Sequence, residues 1–527
     1  MQLPRASGLL LHPTSLPGRY GIGDLGPEAH AFLDFLAETG QTWWQMLPLG
    51  PVGYGGSPYQ SPSSFAGNPL LISLDRLADR GWLDAGELAD VPDLPAGKVD
   101  FDAAAELKWE WLRRAFRAFA GAGPDADFEA FCEKNRAWLD DYVFFQALRD
   151  AHGGKPWYEW EPELVAREPS ACDAWRRQVA EGIRFHEFVQ YAFETQWQEL
   201  RAAGQARGIR LIGDVPIFVA HDSADVWAHP DLYYLDEHGR PQFMAGVPPD
   251  FFSEDGQLWG NPLYRWEAHA KDGYAWWLLR IKALLERVDV IRIDHFRGFE
   301  AYWAVPAGSE TAATGEWVPG PGRPFFKAVR KELGEVPLIA EDLGVITPDV
   351  EALRDEFGMP GMRILQFGFD ADPSMEKYLP HRYINNCIAY TGTHDNDTTY
   401  GWFHTKDVTT TQPREEVAAA RAFAAKYARS DGPEIHWDMM RALFASAADT
   451  AIVPMQDILG LDSRARMNFP GKARGNWAWR YRAEQLDRTV TDRLAEMTAL
   501  YGRWNGPVPA GRDPRPRLRP PEGERGA

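Results

Sequence analysis

Three short apolar runs in this chain end on carboxylates with glycine close behind. Asp294 closes the run in DVIRIDHFRG, Glu341 the run in PLIAEDLG, and Asp395 stands in TGTHDND. Runs of Val, Ile, Leu and Ala that stop at an acid and a glycine read as buried parallel strands opening into loops. Carboxylates at separate strand ends of one barrel converge on one cleft. Two acids across a sugar linkage are the usual equipment for glycosidic bond chemistry.

The rest of the chain supplies the strands such a barrel needs. Apolar runs predict strands at 8–11, 42–47, 209–214, 290–294, 338–341, 362–367, 387–391 and 451–455. Between the first two, Ala29, Phe32, Leu33, Phe35 and Leu36 make one helical face. That is one βαβ unit with short connections. Helices are also predicted over 275–285 and 325–333. Eight strands with mostly helical crossovers give the expected fold class, an α/β protein built on a (β/α)8 TIM barrel with inserted, largely helical subdomains. Residues 1–527 are expected to form a single catalytic barrel unit. Within it, 71–207 reads as a mainly helical insertion between strands 2 and 3, since charged helical stretches such as AAAELKWEWLRRAFRAFA dominate there. Segments 230–275 and 300–325 read as smaller loop insertions over the active-site face. The Pro/Arg-rich tail at 511–527 reads as disordered.

Composition narrows the function classes. The 527 residues carry a net charge of −20, and no basic face stands out for nucleic acid. An acidic chain of this kind stays soluble and suits neutral substrates. The three cysteines, Cys132, Cys172 and Cys387, are far apart and form no CxxC pair, which argues against a disulfide scaffold or a thiolate metal site. The opening MQLPRASGLLLHPTSLPG is broken by proline on both sides of its apolar stretch and lacks the form of a signal segment. No run approaches 18 uninterrupted apolar residues. No membrane association is expected, and a cytoplasmic location is the simplest account. The 22 Trp are unusual. Each can fill core or stack on a flat ligand face, and core is the plainer reading for any one of them.

Each acidic segment admits more than one role. Arg292 and Asp294 are two apart in a strand and share a face, so Arg292 is expected to hold Asp294 ionised. That suits a nucleophile, and it equally suits a structural pair capping the strand. Glu341 follows an apolar run, compatible with the raised pKa a general acid needs. Its neighbour Asp342 faces the other way, and either acid could instead cap the following helix. His394, Asp395 and Asp397 share one loop, which fits a hard cation, sugar hydroxyls, or an Asx-rich turn. Asp214 ends the third strand, and His295 and Arg297 follow Asp294. The long loop at 48–69, rich in Gly, Ser, Pro and Tyr, reads as ordered and functional. It has neither the lysine nor the spacing of a phosphate loop.

Taken together, these segments closely resemble the amylomaltase group of 4-alpha-glucanotransferases in the alpha-amylase superfamily. The resemblance runs through RASGLLLHPTSLP, GIGDLG, YGGSPYQSPSSFAGNP, DVPIFV, VDVIRIDHFRGF, IAEDLG, YTGTHDNDT, RMNFPG and GNWAWR in order. It implies Asp294 as nucleophile, Glu341 as acid/base and Asp395 as a third essential carboxylate gripping sugar hydroxyls. It implies substrate contacts from Ser57, Tyr59, Asp214, Arg292, His295 and His394. The loops around 246–252 and 462–470 would arch over the cleft, adding Phe251, Trp259, Asn468 and Pro470. Tyr54 matches a position of an outer glucan site whose companion aromatic corresponds to Phe101, which lacks a hydroxyl. No cofactor and no metal are implied. The implied partners are α-1,4-glucans and glucose, with segments moved from donor to acceptor through a covalent glycosyl-enzyme. An α-1,4-glucan hydrolase of the same superfamily and a non-catalytic glucan-binding protein are the rival readings.

Overall fold

The computed structural model describes residues 3–249, 255–405, 413–472 and 474–514. Twelve strands occur along them: β1 Ala6–Leu10, β2 Trp43–Gln45, β3 Arg210–Pro216, β4 Phe243–Val247, β5 Gln257–Pro262, β6 Val290–Asp294, β7 Ala301–Pro306, β8 Glu316–Pro319, β9 Leu338–Ala340, β10 Gly361–Ile364, β11 Cys387–Tyr390 and β12 Thr450–Pro454. Eight of them close into a barrel in the order β1-β12-β11-β10-β9-β6-β3-β2, every pair parallel. The barrel is a (β/α)8 TIM barrel, and its strands fall on the eight apolar runs. They are legible because a barrel strand is apolar on both faces. β10 is shorter than predicted: after Ile364 the chain turns into a 3-10 helix, Leu365–Phe369.

The first crossover helix, Pro27–Glu38, buries Ala29, Phe32, Leu33, Phe35 and Leu36, the face its sequence spacing predicts. Gly8 lets β1 approach β2, for a Cβ there would stand 2.3 Å from the Trp43 carbonyl oxygen. Between β2 and β3 the chain runs through helices, chief among them Phe101–Gly121, Ala126–Ala151 and Ala180–Ala206. Asp100 and Asp125 start the first two by accepting backbone N–H groups three residues on. Lys108 is fully buried, and its ammonium lies 2.6 Å from both Asp24 Oδ2 and the Ile72 carbonyl. That contact fastens the helix Phe101–Gly121 to the loop following β1.

One expectation fails. The segments 230–275 and 300–325 read as loop insertions, but they contain strands. β4, β5, β7 and β8 form an antiparallel sheet in the order β5-β4-β7-β8. These strands are short and interrupted by Gly and Pro, and β8 is mostly exposed. They therefore lack the alternation that marks a half-buried strand. β4 and β5 follow barrel strand β3 and β7 and β8 follow β6, so the sheet stands over the barrel's C-terminal ends.

Candidate active site

β3, β6 and β9 are neighbours in the barrel, and their C-terminal ends hold three of the acids. Register sets Asp214 beside Arg292, Pro216 beside Asp294, and Ile293 beside Ala340. Arg292 Nη1 donates to both carboxylate oxygens of Asp214 at 2.8 Å, and Nη2 lies 2.9 Å from Asp294 Oδ1. The Tyr59 hydroxyl donates to Asp214 Oδ2 at 2.7 Å. One guanidinium thus bridges two carboxylates. The Arg292 and Asp214 side chains are sealed, at 4% and 1% exposure, while Asp294 keeps 28%. The relay opens to the cleft at Asp294.

Glu341 lies one residue past β9. Its Oε2 accepts the backbone N–H of His295 at 2.8 Å, and its Oε1 accepts that of Leu343 at 2.9 Å. His295 takes a left-handed backbone, φ 53°, a conformation that costs a non-glycine residue about 1–2 kcal/mol. The turn brings its N–H to Glu341, so this carboxyl sits beside the residue next to Asp294. Burial lifts Glu341 to about 8, with Arg292 opposing and Asp294 adding. Burial also lifts Asp294 to about 7; Arg292 opposes this, and Asp214 and Asp395 add to it. Desolvation thus works against a guanidinium that Asp294 shares with Asp214. The two acids titrate as a pair. Glu341 holds the proton, because only Asp294 is hydrogen-bonded to a cation. Asp342 faces away, accepts the Met362 N–H at 2.7 Å and pairs with Arg354 and Arg363.

β11 stands opposite β3 in the closed ring. The turn after it carries His394, whose ring stacks on Tyr59 at 5.3 Å. Tyr59 therefore spans the mouth from Asp214 to His394. Burial holds His394 below the ordinary imidazole value, which leaves it neutral. Its Nε2 lies 3.4 Å from Asp395 Oδ2, and Asp395 is 46% exposed to the cleft. Asn468 Nδ2 donates to Asp395 Oδ1 at 2.6 Å, and the Asn468 N–H donates to the His394 carbonyl at 2.9 Å. Asp397 turns away to accept from the Ser463 hydroxyl and the Thr398 N–H. Among the described residues no group of three or more His, Cys, Asp or Glu side chains is arranged to hold a metal ion.

The remaining predicted residues fall in an outer ring. Trp259, on β5, meets His295 edge to face at 4.9 Å, and burial holds His295 down to about 3. Ser57 Oγ accepts the Tyr59 N–H at 3.2 Å. Pro470 is exposed two residues past Asn468. Tyr54 is 71% exposed. The Phe101 ring packs on Gly56, where a Cβ would come within 2.5 Å of it, so the ring lies against the Tyr54–Gly56 turn. Phe251 and the tail from 515 onward lie outside the described residues. Sequence reasoning passed over Arg466 and His12. Arg466 donates to the carbonyls of Asp395 and Asn468, and a lone loop arginine carries no signal for that. Neither ring nitrogen of buried His12 has a hydrogen-bond partner, and His394 is one of the groups acting on its pKa. Its place just past β1 was the available clue.

With this geometry in hand, the similarities to known proteins are specific. A family model described as 4-alpha-glucanotransferase matches residues 11–486. The chain is 51% identical to a 4-alpha-glucanotransferase of Thermus thermophilus, over 94% of this chain and 99% of that protein. It is 50% identical to one from Synechocystis sp., over 95% and 98% respectively. A solved amylomaltase from Streptococcus agalactiae, in complex with acarbose, superposes with a TM-score of 0.90 at 39% identity, covering 95% of this chain and 100% of that one.

Proposed function

The chain belongs to the 4-alpha-glucanotransferase family, and from that premise we propose how its strand-end acids carry out glucan transfer. The enzyme moves α-1,4-glucan segments from a donor to the 4-hydroxyl of an acceptor glucan or glucose. Protonated Glu341 gives its proton to the bridging oxygen as the glycosidic bond breaks. Ionised Asp294 attacks the anomeric carbon and forms a covalent glycosyl-enzyme. The leaving chain departs with a free 4-hydroxyl. An acceptor's 4-hydroxyl then attacks while Glu341, now a carboxylate, takes its proton, and Asp294 is released. Two displacements retain the α configuration, which calls for carboxyls about 5–5.5 Å apart rather than 6.5–9.5 Å.

The observation that carries this reading is the hydrogen bond from the His295 N–H to Glu341, which sets the acid beside the nucleophile. Asp395, oriented by Asn468, grips ring hydroxyls and favours the distorted, positively charged transition state. Tyr59, Asp214, Arg292 and His394 form the wall and floor of the inner site. Ser57, His295, Trp259, Asn468 and Pro470 line the approach, and Tyr54 with Phe101 hold chain farther out. The insertions at 71–207, 230–275 and 300–325 frame the cleft. Transfer prevails over hydrolysis because the aromatic surroundings hold an acceptor in register and exclude water. Bond energy changes little between donor and product, so the reaction calls on no cofactor.

This reading also places the protein in the cytoplasm. Among the described residues no helix is long and apolar enough to cross a membrane. The test of function is incubation with maltotriose. Transfer gives glucose and a ladder of longer maltooligosaccharides at constant total reducing ends. A steady rise in reducing ends would make the protein a hydrolase instead.

A further inference from the structure

The antiparallel sheet carries a feature the inner site does not use. Leu258 on β5 pairs with Gly246 on β4, Gly246 with Trp303 on β7, and Trp303 with Trp317 on β8. Directly opposed residues share a face, so these four form one row across the sheet. Ala245, Tyr302 and Ala304, which alternate with them, are buried, and the row reaches solvent at its two ends. Trp317 is 39% exposed and Leu258 36%. Nothing in the row is charged.

The rings in this row are held. Trp303 Nε1 donates to the Ala312 carbonyl at 2.8 Å. Trp303 meets Trp317 edge to face at 5.1 Å. The Arg297 guanidinium lies 3.7 Å from the Trp317 ring centre, and Arg297 is anchored by a hydrogen bond to the Val345 carbonyl. A large ring whose orientation is already fixed loses little entropy on binding a ligand. Its flat apolar face suits the carbon face of a sugar.

The row is tied to a loop of the catalytic cleft through Arg297. Trp259, next to Leu258 on the other face of β5, touches His295. Arg297 lies three residues past Asp294, and Val345, 57% exposed, lies four past Glu341. A polymeric substrate longer than the inner pocket has to leave over some flank of the mouth. The Tyr54 turn follows β2, whereas this row stands over the loops of β6 and β9. We propose that Trp317, in the outer row Leu258–Gly246–Trp303–Trp317, stacks a sugar of the glucan stretch lying outside the inner pocket. The proposal rests on the glucan-transfer reading and adds a second flank to the substrate path.

The test compares kcat/KM for amylose, a long chain, with kcat/KM for maltotriose, a short one. Trp317→Ala is expected to lower the ratio of the two by about three- to tenfold. Trp317→Phe keeps a flat ring over Arg297 and is expected to retain most of the ratio. An unchanged ratio in Trp317→Ala overturns the proposal. So does an equal loss on both substrates in the two variants, which marks the ring as packing only. Wild-type protein that gives no ladder from maltotriose sinks the transfer reading itself. A wild-type ladder with an unchanged ratio sinks only the platform.

Discussion

Two acids with opposite tasks share one buried floor, and burial raises both. For Asp294 this is a cost to the fold. Unfolded, its carboxyl ionises near the ordinary value of about 4; folded, the buried pair it forms with Glu341 gives up its protons only towards about 7 and about 8. Below pH 4 both states are protonated and the group contributes nothing. As pH rises from about 4 the unfolded chain ionises first, so wild-type stability falls. Asn at this position cannot ionise and can still accept from Arg292. Asp294→Asn should therefore be more stable than wild type at pH 8.5 by on the order of 2 kcal/mol. The gain should vanish towards pH 4, while turnover falls about a thousandfold or more. Urea unfolding at both pH values checks this, and a variant less stable at pH 8.5 contradicts it. The positions of Asp294, Arg292 and Glu341 were legible because strand alternation fixes which residues share a face. The balance of charge was not, because it depends on how deeply the pair is buried and on Arg292 serving Asp214 as well.

At the scale of elements, the barrel strands could be read and the sheet above them could not. Barrel strands are mainly apolar runs, with few charged residues besides Asp214, Arg292 and Asp294. β4 and β5 instead form a bulged hairpin in which Gly246 faces Leu258. A Cβ on Gly246 would stand 2.4 Å from the Gln257 carbonyl oxygen, so this glycine is a condition of close strand approach. β5 also delivers Trp259 to His295, which makes the hairpin's spacing relevant to the cleft. Gly246→Ala should shift β5 outward, destabilise the protein by about 1–3 kcal/mol, and lower kcat/KM for maltotriose about three- to tenfold. Thermal unfolding and steady-state kinetics read the two effects separately. Wild-type kinetics in a destabilised variant would show that the seat of Trp259 does not depend on this hairpin.

For the molecule as a whole, the helical character of the long insertion was plain from its charged periodicity, but its attachment was not. That attachment is a buried ion pair between residues 84 positions apart, a contact no local pattern encodes. Lys108 lies two turns after Phe101 on one helix, so the clamp on Asp24 also sets where Phe101 meets the Tyr54–Gly56 turn. Removing one partner of a buried pair leaves the other charge without compensation, at a cost of about 3–5 kcal/mol. Lys108→Met should show a loss of this size in urea unfolding at pH 8. Burial already raises the Asp24 pKa even with Lys108 present, and without the ammonium it is chiefly the Gly26 N–H that is left to oppose that rise. Asp24 in the variant should then take up a proton as pH falls, so the deficit should shrink in mildly acidic solution. Adding Asp24→Asn should recover part of it at pH 8. A deficit that stays constant with pH would mean that the lysine contributes through packing of its stem and not through its charge.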